Sequence, residues 1–170
     1  IPTVVASGAS TICDGASATI TGSGATSYSW DQGLGIGGSQ TVSPSSTTTY
    51  TVTGTTAGCS NTDAVTITVT PVPTVIANGA TTICDGASAT ISGSGATTYS
   101  WDQGLGAGTS QTVSPSSTTT YTVTGTTAGC SNTDAVTITV TPVPIVSANG
   151  ATTICDGASA TITGSGATTY

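Results

Sequence analysis

Thr49-Tyr50-Thr51-Val52-Thr53 and, beyond the break Ala57-Gly58-Cys59-Ser60-Asn61, Val65-Thr66-Ile67-Thr68-Val69 decide the fold of this chain. In both stretches an apolar side chain alternates with threonine, the period of a strand that buries one face and wets the other. Thr, Val and Ile suit strands, whereas the break between the two stretches carries turn residues. Upstream, the same alternation runs through Ala18 and Ile20 and through Tyr28 and Trp30, with Ser43-Pro44-Ser45-Ser46 as a further break. The pattern predicts strand A at about residues 3–11, B at 16–22, C at 26–31, a short strand at 39–43, F at 48–55 and G at 64–70. No helical period is present, so the fold class is all-β, a sandwich of two sheets.

This unit recurs every 71 residues, as Cys13, Cys84 and Cys155 mark. Between residues 13–73 and 84–144 only four positions differ: Thr21/Ser92, Ser27/Thr98, Ile36/Ala107 and Gly38/Thr109. Such a period is too long for a solenoid coil and fits one small independent domain. The expected organisation is repeat 1 at 1–72, repeat 2 at 73–143 and an incomplete repeat 3 at 144–170, holding strands A, B and the start of C. Thr169-Tyr170 matches Thr98-Tyr99, in the middle of the unit. The expectation is an excerpt of a longer array, the alternative being completion of repeat 3 by strands of a neighbouring chain. Tandem near-copies of a module multiply length, surface or valency, which points to a fibre or stalk.

The chain has no Lys, Arg, His, Met or Phe, and its only charged side chains are seven Asp, for a net charge of −7. General acid-base and nucleophilic catalysis draw on His, Glu or Lys beside a hydroxyl or thiol, so an enzyme is not expected. Nucleic acid and anionic membrane surfaces need a cationic face that this sequence lacks. No stretch approaches the roughly 20 apolar residues of a membrane span.

Gly15-x-x-Ala18-Thr19-Ile20, Tyr28-x-Trp30, Tyr50-Thr51-Val52-Thr53 and Val65-Thr66-Ile67-Thr68-Val69 resemble the immunoglobulin-like or PKD-like repeats of large Bacteroidota surface proteins. Those repeats carry Thr-Ile-Cys-x-Gly early, Thr-Tyr-Thr-Val-Thr late and Gly-Cys after it, as here at Thr11, Thr49 and Gly58. The resemblance implies immunoglobulin-like sandwiches in a head-to-tail rod, export by type IX secretion, and a place in an adhesin or surface filament. It also implies a core formed by Trp30 and Trp101, Tyr50 and Tyr121, Val52 and Val123, and Ile20 and Ile91. Burying such a Trp stabilises a small module by ~3 kcal/mol or more. The rival for Trp30 is an exposed sugar-stacking ring. Tyr50 resembles the tyrosine corner of this architecture, with its hydroxyl tied to backbone.

Two cysteines per module without any His read as disulfides in an oxidising compartment, and hence an extracellular protein. In a sandwich of this topology the turn before strand B and the turn between F and G lie at opposite ends. Strand B alone spans ~23 Å at 3.3 Å per residue, whereas bridged Cα atoms lie within about 7 Å. The expected bond therefore joins consecutive modules, Cys13 to Cys130, with Cys59, Cys84 and Cys155 pairing outside or across the sequence. The linker Thr70-Pro71-Val72-Pro73 is stiff enough to hold that junction. The alternative keeps the bonds inside modules, Cys13 with Cys59 and Cys84 with Cys130.

Asp14, Asp31 and Asp134 are candidates to gather at one junction as hard oxygen ligands for Ca2+, against the plainer reading of Asp as a turn cap. No other cofactor is expected. Alternation sets Thr51, Thr53, Thr55, Thr66, Thr68 and Thr70 on the outer side of one sheet. They are read as solvent-facing strand residues, or as a face for packing between fibres, for sugars or for ice. The functional expectation is a disulfide-stiffened stalk or filament whose partners are neighbouring modules or copies of itself, with an unknown ligand at its tip. The rivals are a multivalent carbohydrate- or surface-binding repeat and an accessory module of a secreted enzyme.

Overall fold

The computed structural model describes residues 1–169, which leaves Tyr170, the last residue of the expected third repeat, outside the described residues. Among the described residues every regular element is a strand. The first module contains β1 (Val5–Gly8), β2 (Thr11–Cys13), β3 (Ala18–Ser23), β4 (Ser27–Trp30), β5 (Gly35–Ile36), β6 (Ser39–Val42), β7 (Thr48–Thr56) and β8 (Cys59–Thr70). One sheet has the order β1-β3-β6 and the other β2-β8-β7-β4-β5. The second module repeats this with β9 (Ile76–Gly79), β10 (Thr82–Cys84), β11 (Ala89–Ser94), β12 (Thr98–Trp101), β13 (Gly106–Ala107), β14 (Ser110–Val113), β15 (Thr119–Thr127) and β16 (Cys130–Thr141). Its sheets are β14-β11-β9 and β10-β16-β15-β12-β13. Both modules are immunoglobulin-like sandwiches.

Two strand expectations are corrected. Strand A is not one element. β1 pairs antiparallel with β3, and after Gly8-Ala9-Ser10 the chain crosses to the other sheet, where β2 pairs parallel with β8. The crossing lets one short segment cover an edge of both sheets, so that each sheet ends on that side in a strand of only four or three residues, a short edge that offers little to pair with. It also carries Cys13 alongside Thr70, at the foot of the five-stranded sheet.

Strand G begins at Cys59, five residues before its expected start. Ala57 and Gly58 both adopt positive φ, 49° and 78°, the geometry of a two-residue hairpin whose twist matches its strands. The ladder therefore continues unbroken to Thr56 opposite Cys59. Asp63, just before the expected start of strand G at 64, sits within the strand opposite Val52.

Each module has its own core. Val4, Ile12, Ala18, Ile20, Trp30, Val42, Tyr50, Val52 and Ile67 form the first. Val75, Ala89, Ile91, Trp101, Val113, Tyr121, Val123, Val136 and Ile138 form the second. Trp30 and Trp101 are inside, each donating its ring N–H to a backbone carbonyl, Gly37 and Gly108, at 3.0 Å. Gly54 makes the packing possible, since a Cβ there would lie 2.5 Å from Val4 Cγ2 and 2.7 Å from Ala25 Cβ.

The backbone-tied tyrosine is Tyr28, which replaces the expected Tyr50. The Tyr28 hydroxyl accepts from Ala25 N–H at 2.8 Å and donates to Ala25 C=O at 2.7 Å, pinning the turn between β3 and β4. Tyr50 is buried in the core of the first module.

Beyond Thr141, β17 (Ser147–Asn149) pairs with β18 (Thr163–Ser165). These strands stand where β9 and β11 stand in the second module, without the facing sheet among the described residues. Val146 is 58% exposed where Val75 is 6%, and Ile162 is 78% exposed where Ile91 is fully buried.

Candidate functional site: the inter-module junction and the threonine face

Cys13 and Cys130 are joined by a disulfide, with Cα atoms 5.6 Å apart and a sequence separation of 117. Three local features set this up. β2 places Cys13 beside Thr70, and Asp14 N–H donates to the Thr70 carbonyl at 2.9 Å, fixing the turn that follows. The Ala128-Gly129 hairpin holds Cys130 at the upper tip of β16. Asn132 then donates through Nδ2 to the Pro73 carbonyl at 3.1 Å, anchoring the linker to that tip.

At the closed junction Cys130 Sγ lies 3.8 Å from the Thr70 carbonyl oxygen, and Cys130 is only 2% exposed. The intramodular pairing of Cys13 with Cys59 has no path. Cys59 opens β8 and Cys13 lies beside Thr70, which ends it. Eleven strand residues separate those levels by ~36 Å at 3.3 Å each. Cys59, Cys84 and Cys155 are free and exposed. Cys84 sits beside Thr141 as Cys13 sits beside Thr70, with Asp85 N–H donating to the Thr141 carbonyl at 2.9 Å.

The carboxylates do not gather. No group of three or more His, Cys, Asp or Glu side chains that could hold a metal ion occurs among the described residues, so Asp14, Asp31 and Asp134 are not a joint site. Backbone groups claim two of them. Asp31 Oδ1 accepts from Thr51 N–H at 3.0 Å, which ties the end of β4 to β7. Asp134 Oδ2 accepts from Ala77 N–H at 2.8 Å, and Asp63 does the same for Ala6.

These last two bonds join β16 to β9 and β8 to β1, so each links the two sheets of its sandwich. The Ala6 amide, and then the Ala64 amide, hold the Asp63 carboxyl below its ordinary range. The Ala77 and Ala135 amides do the same for Asp134. An inward Asp in a strand is missed by pattern reading because a polar residue after a turn looks like part of the turn.

Thr51, Thr53 and Thr55 lie in register with Ala64, Thr62 and Ser60 of β8, and Thr53 and Thr55 with Ser29 and Ser27 of β4. Thr66 faces Thr49, Thr68 faces Thr11, and Thr70 faces Cys13. The outer face of the five-stranded sheet is thus largely hydroxylated, with Ala64 opposite Thr51 and Ile36 opposite Ser29 as apolar members. Its hydroxyls bind one another across strands: Thr49 with Thr66 and Thr55 with Ser60, each at 2.8 Å. The second module repeats both pairs at the same distance. Ser27, Ser29, Ser60 and Thr62 extend the face past the six predicted threonines, and the alternation around Tyr28 and Trp30 is the signal for the first two.

An open groove at the foot of the first module is lined by Gln32, Leu34, Val42, Pro44, Ser46 and Tyr50, with no charged group among its lining residues. No helix among the described residues is long and apolar enough to cross a membrane.

No family model and no curated protein matches the chain. Solved structures similar to it are tandem immunoglobulin domains. A three-domain titin fragment, an E-to-A variant, has a TM-score of 0.42 at 10% identity, covering 96% of this chain and 76% of that one. Domains 1–5 of sidekick-1 give a TM-score of 0.36 at 14% identity, covering 84% of this chain and 40% of that one. The titin domains z1z2 in complex with telethonin give 0.30 at 14% identity, covering 78% and 92%. The strand order itself, β1-β3-β6 against β2-β8-β7-β4-β5 and its repeat, makes this chain a tandem of immunoglobulin-like sandwiches.

Proposed function

We propose that the chain is a segment of a structural stalk or filament, carried outside the cell on a bacterial surface adhesin and stiffened by disulfides between consecutive modules. The observation that carries this reading is the bond from the foot of the first module to the upper tip of the second, Cys13 to Cys130. Cys84 and Cys59, at the equivalent foot and tip, are exposed thiols. The same bond repeated would lock every junction. Disulfides persist in oxidising compartments, which supports an extracellular setting.

The reading as a non-enzyme rests on side-chain chemistry. The hydroxyls and thiols have no His, Lys or Glu to activate them. A second reading is favoured by the hydroxylated outer face, which would bind carbohydrate through many weak copies at once. The Bacteroidota-type repeats and their type IX export belong to the proposal through motif resemblance alone.

Solution scattering under oxidising and reducing conditions tests the stalk. The expected result is one extended particle of fixed length when oxidised, and a broadened distribution of inter-module distances when reduced. Equal flexibility in both states would refute disulfide stiffening. Saturable binding to a glycan array, lost on replacing Thr53 and Thr124 by Lys, would move the assignment to the binding reading.

A further inference from the structure

The position of the disulfide determines which residues would carry a pull along the chain. From Ile1 the covalent path runs through β1 and β2 to Cys13, then across the bond to Cys130. It continues down β16 from Cys130 to Thr141 and into Pro142-Val143-Pro144. The separation of 117 leaves residues 14 to 129 off the path. Both tryptophans and most of both cores hang from it without lying on it.

Tension crosses the second module along one strand. Force enters β16 at its upper tip and leaves at its foot, while nine residue pairs to β15 and three to β10 hold that strand laterally. A β-strand already rises 3.2–3.4 Å per residue against a limit of about 3.6 Å, so it has only roughly 6–12% of its length to give. Pulling it straightens nothing, and the bonds to its neighbours, lying across the force, are loaded together.

We propose that the inter-module disulfide makes a taut covalent thread that takes tension past most of each sandwich core, so that load cannot unravel the residues between the two cysteines. This deepens the stalk reading and rests on it for its biological setting. Cys155 stands where Cys13 stands, 25 residues beyond Cys130. In a continued array the thread would use those 25 residues for every two modules. At ~3.4 Å each they span ~85 Å, close to the length of two modules of ~35–40 Å. A thread of that length has only ~5–15 Å of slack to release.

The test stretches the 170-residue chain between terminal protein handles in optical tweezers, with Cys59→Ser, Cys84→Ser and Cys155→Ser silencing the free thiols. The oxidised chain is expected to reach a final contour set by the residues on the path alone. Adding a phosphine reductant, which converts the bond into two thiols, should lengthen that contour about threefold, by ~40 nm at ~3.5 Å for each residue released. Module-sized steps of ~25 nm in the oxidised chain, or an equal contour before and after reduction, would overturn the thread.

Cys13→Ser with Cys130→Ser should behave as the reduced chain from the start. Should that variant fail to fold, reduction of the folded parent in the trap carries the comparison. The contour depends on the covalent path alone. Glycan binding at the threonine face would therefore sink the stalk and leave the contour result standing, while a failed contour result with a stiff particle in scattering would sink the thread alone.

Discussion

Cys59 and Cys130 occupy the same hairpin tip in two modules whose sequences agree at every position around them, yet Cys59 is an exposed thiol and Cys130 is buried in a disulfide. Nothing within the module distinguishes them. The difference comes from what lies above each tip: the foot of the first module, with Cys13 and the Thr70 carbonyl, covers Cys130. Burial here is a property of the junction. A module supplies one half of a site at each end, and only adjacency completes it.

The sharpest way to break this comparison is to remove the bond. In the chain-entropy view, closing a loop of 117 residues stabilises by ~4–5 kcal/mol. Cys130→Ser should lower the denaturation free energy on that scale, whereas Cys59→Ser should change it by less than ~0.5 kcal/mol, as surface changes do. Chemical denaturation of the two variants side by side checks this. A similar loss at Cys59 would mean that the two tips are not as different as their exposure indicates.

Core substitutions should erase the asymmetry. Trp30→Ala and Trp101→Ala, at equally buried positions, should each cost ~3–5 kcal/mol. Loss of the remaining tryptophan's burial, read by fluorescence during unfolding, reports the other module. Unequal costs would show that the junction stabilises one core more than the other.

Gly54→Ala is a smaller probe of the same kind. The new methyl would meet Val4 Cγ2 and Ala25 Cβ, overpacking that costs about 1–3 kcal/mol. Gly125→Ala meets Val75 and Ala96 in the same way, so the thermal shifts should match within error.

The smallest effect is electrostatic. Asp63 and Asp134 have folded pKa values below the ordinary carboxylate range because each accepts a backbone N–H from across the sandwich. Their stabilisation is therefore complete above the unfolded pKa, near 4, and is lost as pH falls through the lowered folded value. Melting temperature should decline as pH falls below about 4, and Asp63→Asn with Asp134→Asn should flatten that decline. An unchanged slope would assign acid sensitivity to the other five carboxylates.

The sandwich was legible because alternation is strong: Tyr50, Val52, Val65 and Ile67 face inward wherever threonine faces out, and the 71-residue period repeats that reading. Less legible were features whose physics is not periodic. The crossing of strand A between sheets leaves only Gly8-Ala9-Ser10 as its mark, and these residues do not distinguish a bend within a sheet from a change of sheet. The tight Ala57-Gly58 hairpin was hidden among polar residues that read as loop. Asp63 looked like turn chemistry because its partner, the Ala6 amide, is 57 residues away. Tyr28 and Tyr50 are both aromatic residues in strands, and only the fold places Ala25 within reach of the Tyr28 hydroxyl.

The long sequence separation between Cys13 and Cys130 also imposes an order in time. As the chain emerges from its amino end, Cys59 and Cys84 appear before Cys130 does, and Cys13 must pass both without bonding. A folded first module protects it, since β2 holds Cys13 at the foot and β8 carries Cys59 to the opposite tip. The correct bond can close only once the second module has formed the hairpin that presents Cys130. Oxidation then acts as a completion signal, sealing a junction after both neighbours are whole. Thiol trapping during refolding should record Cys13 and Cys130 disappearing together, after the tryptophans are buried.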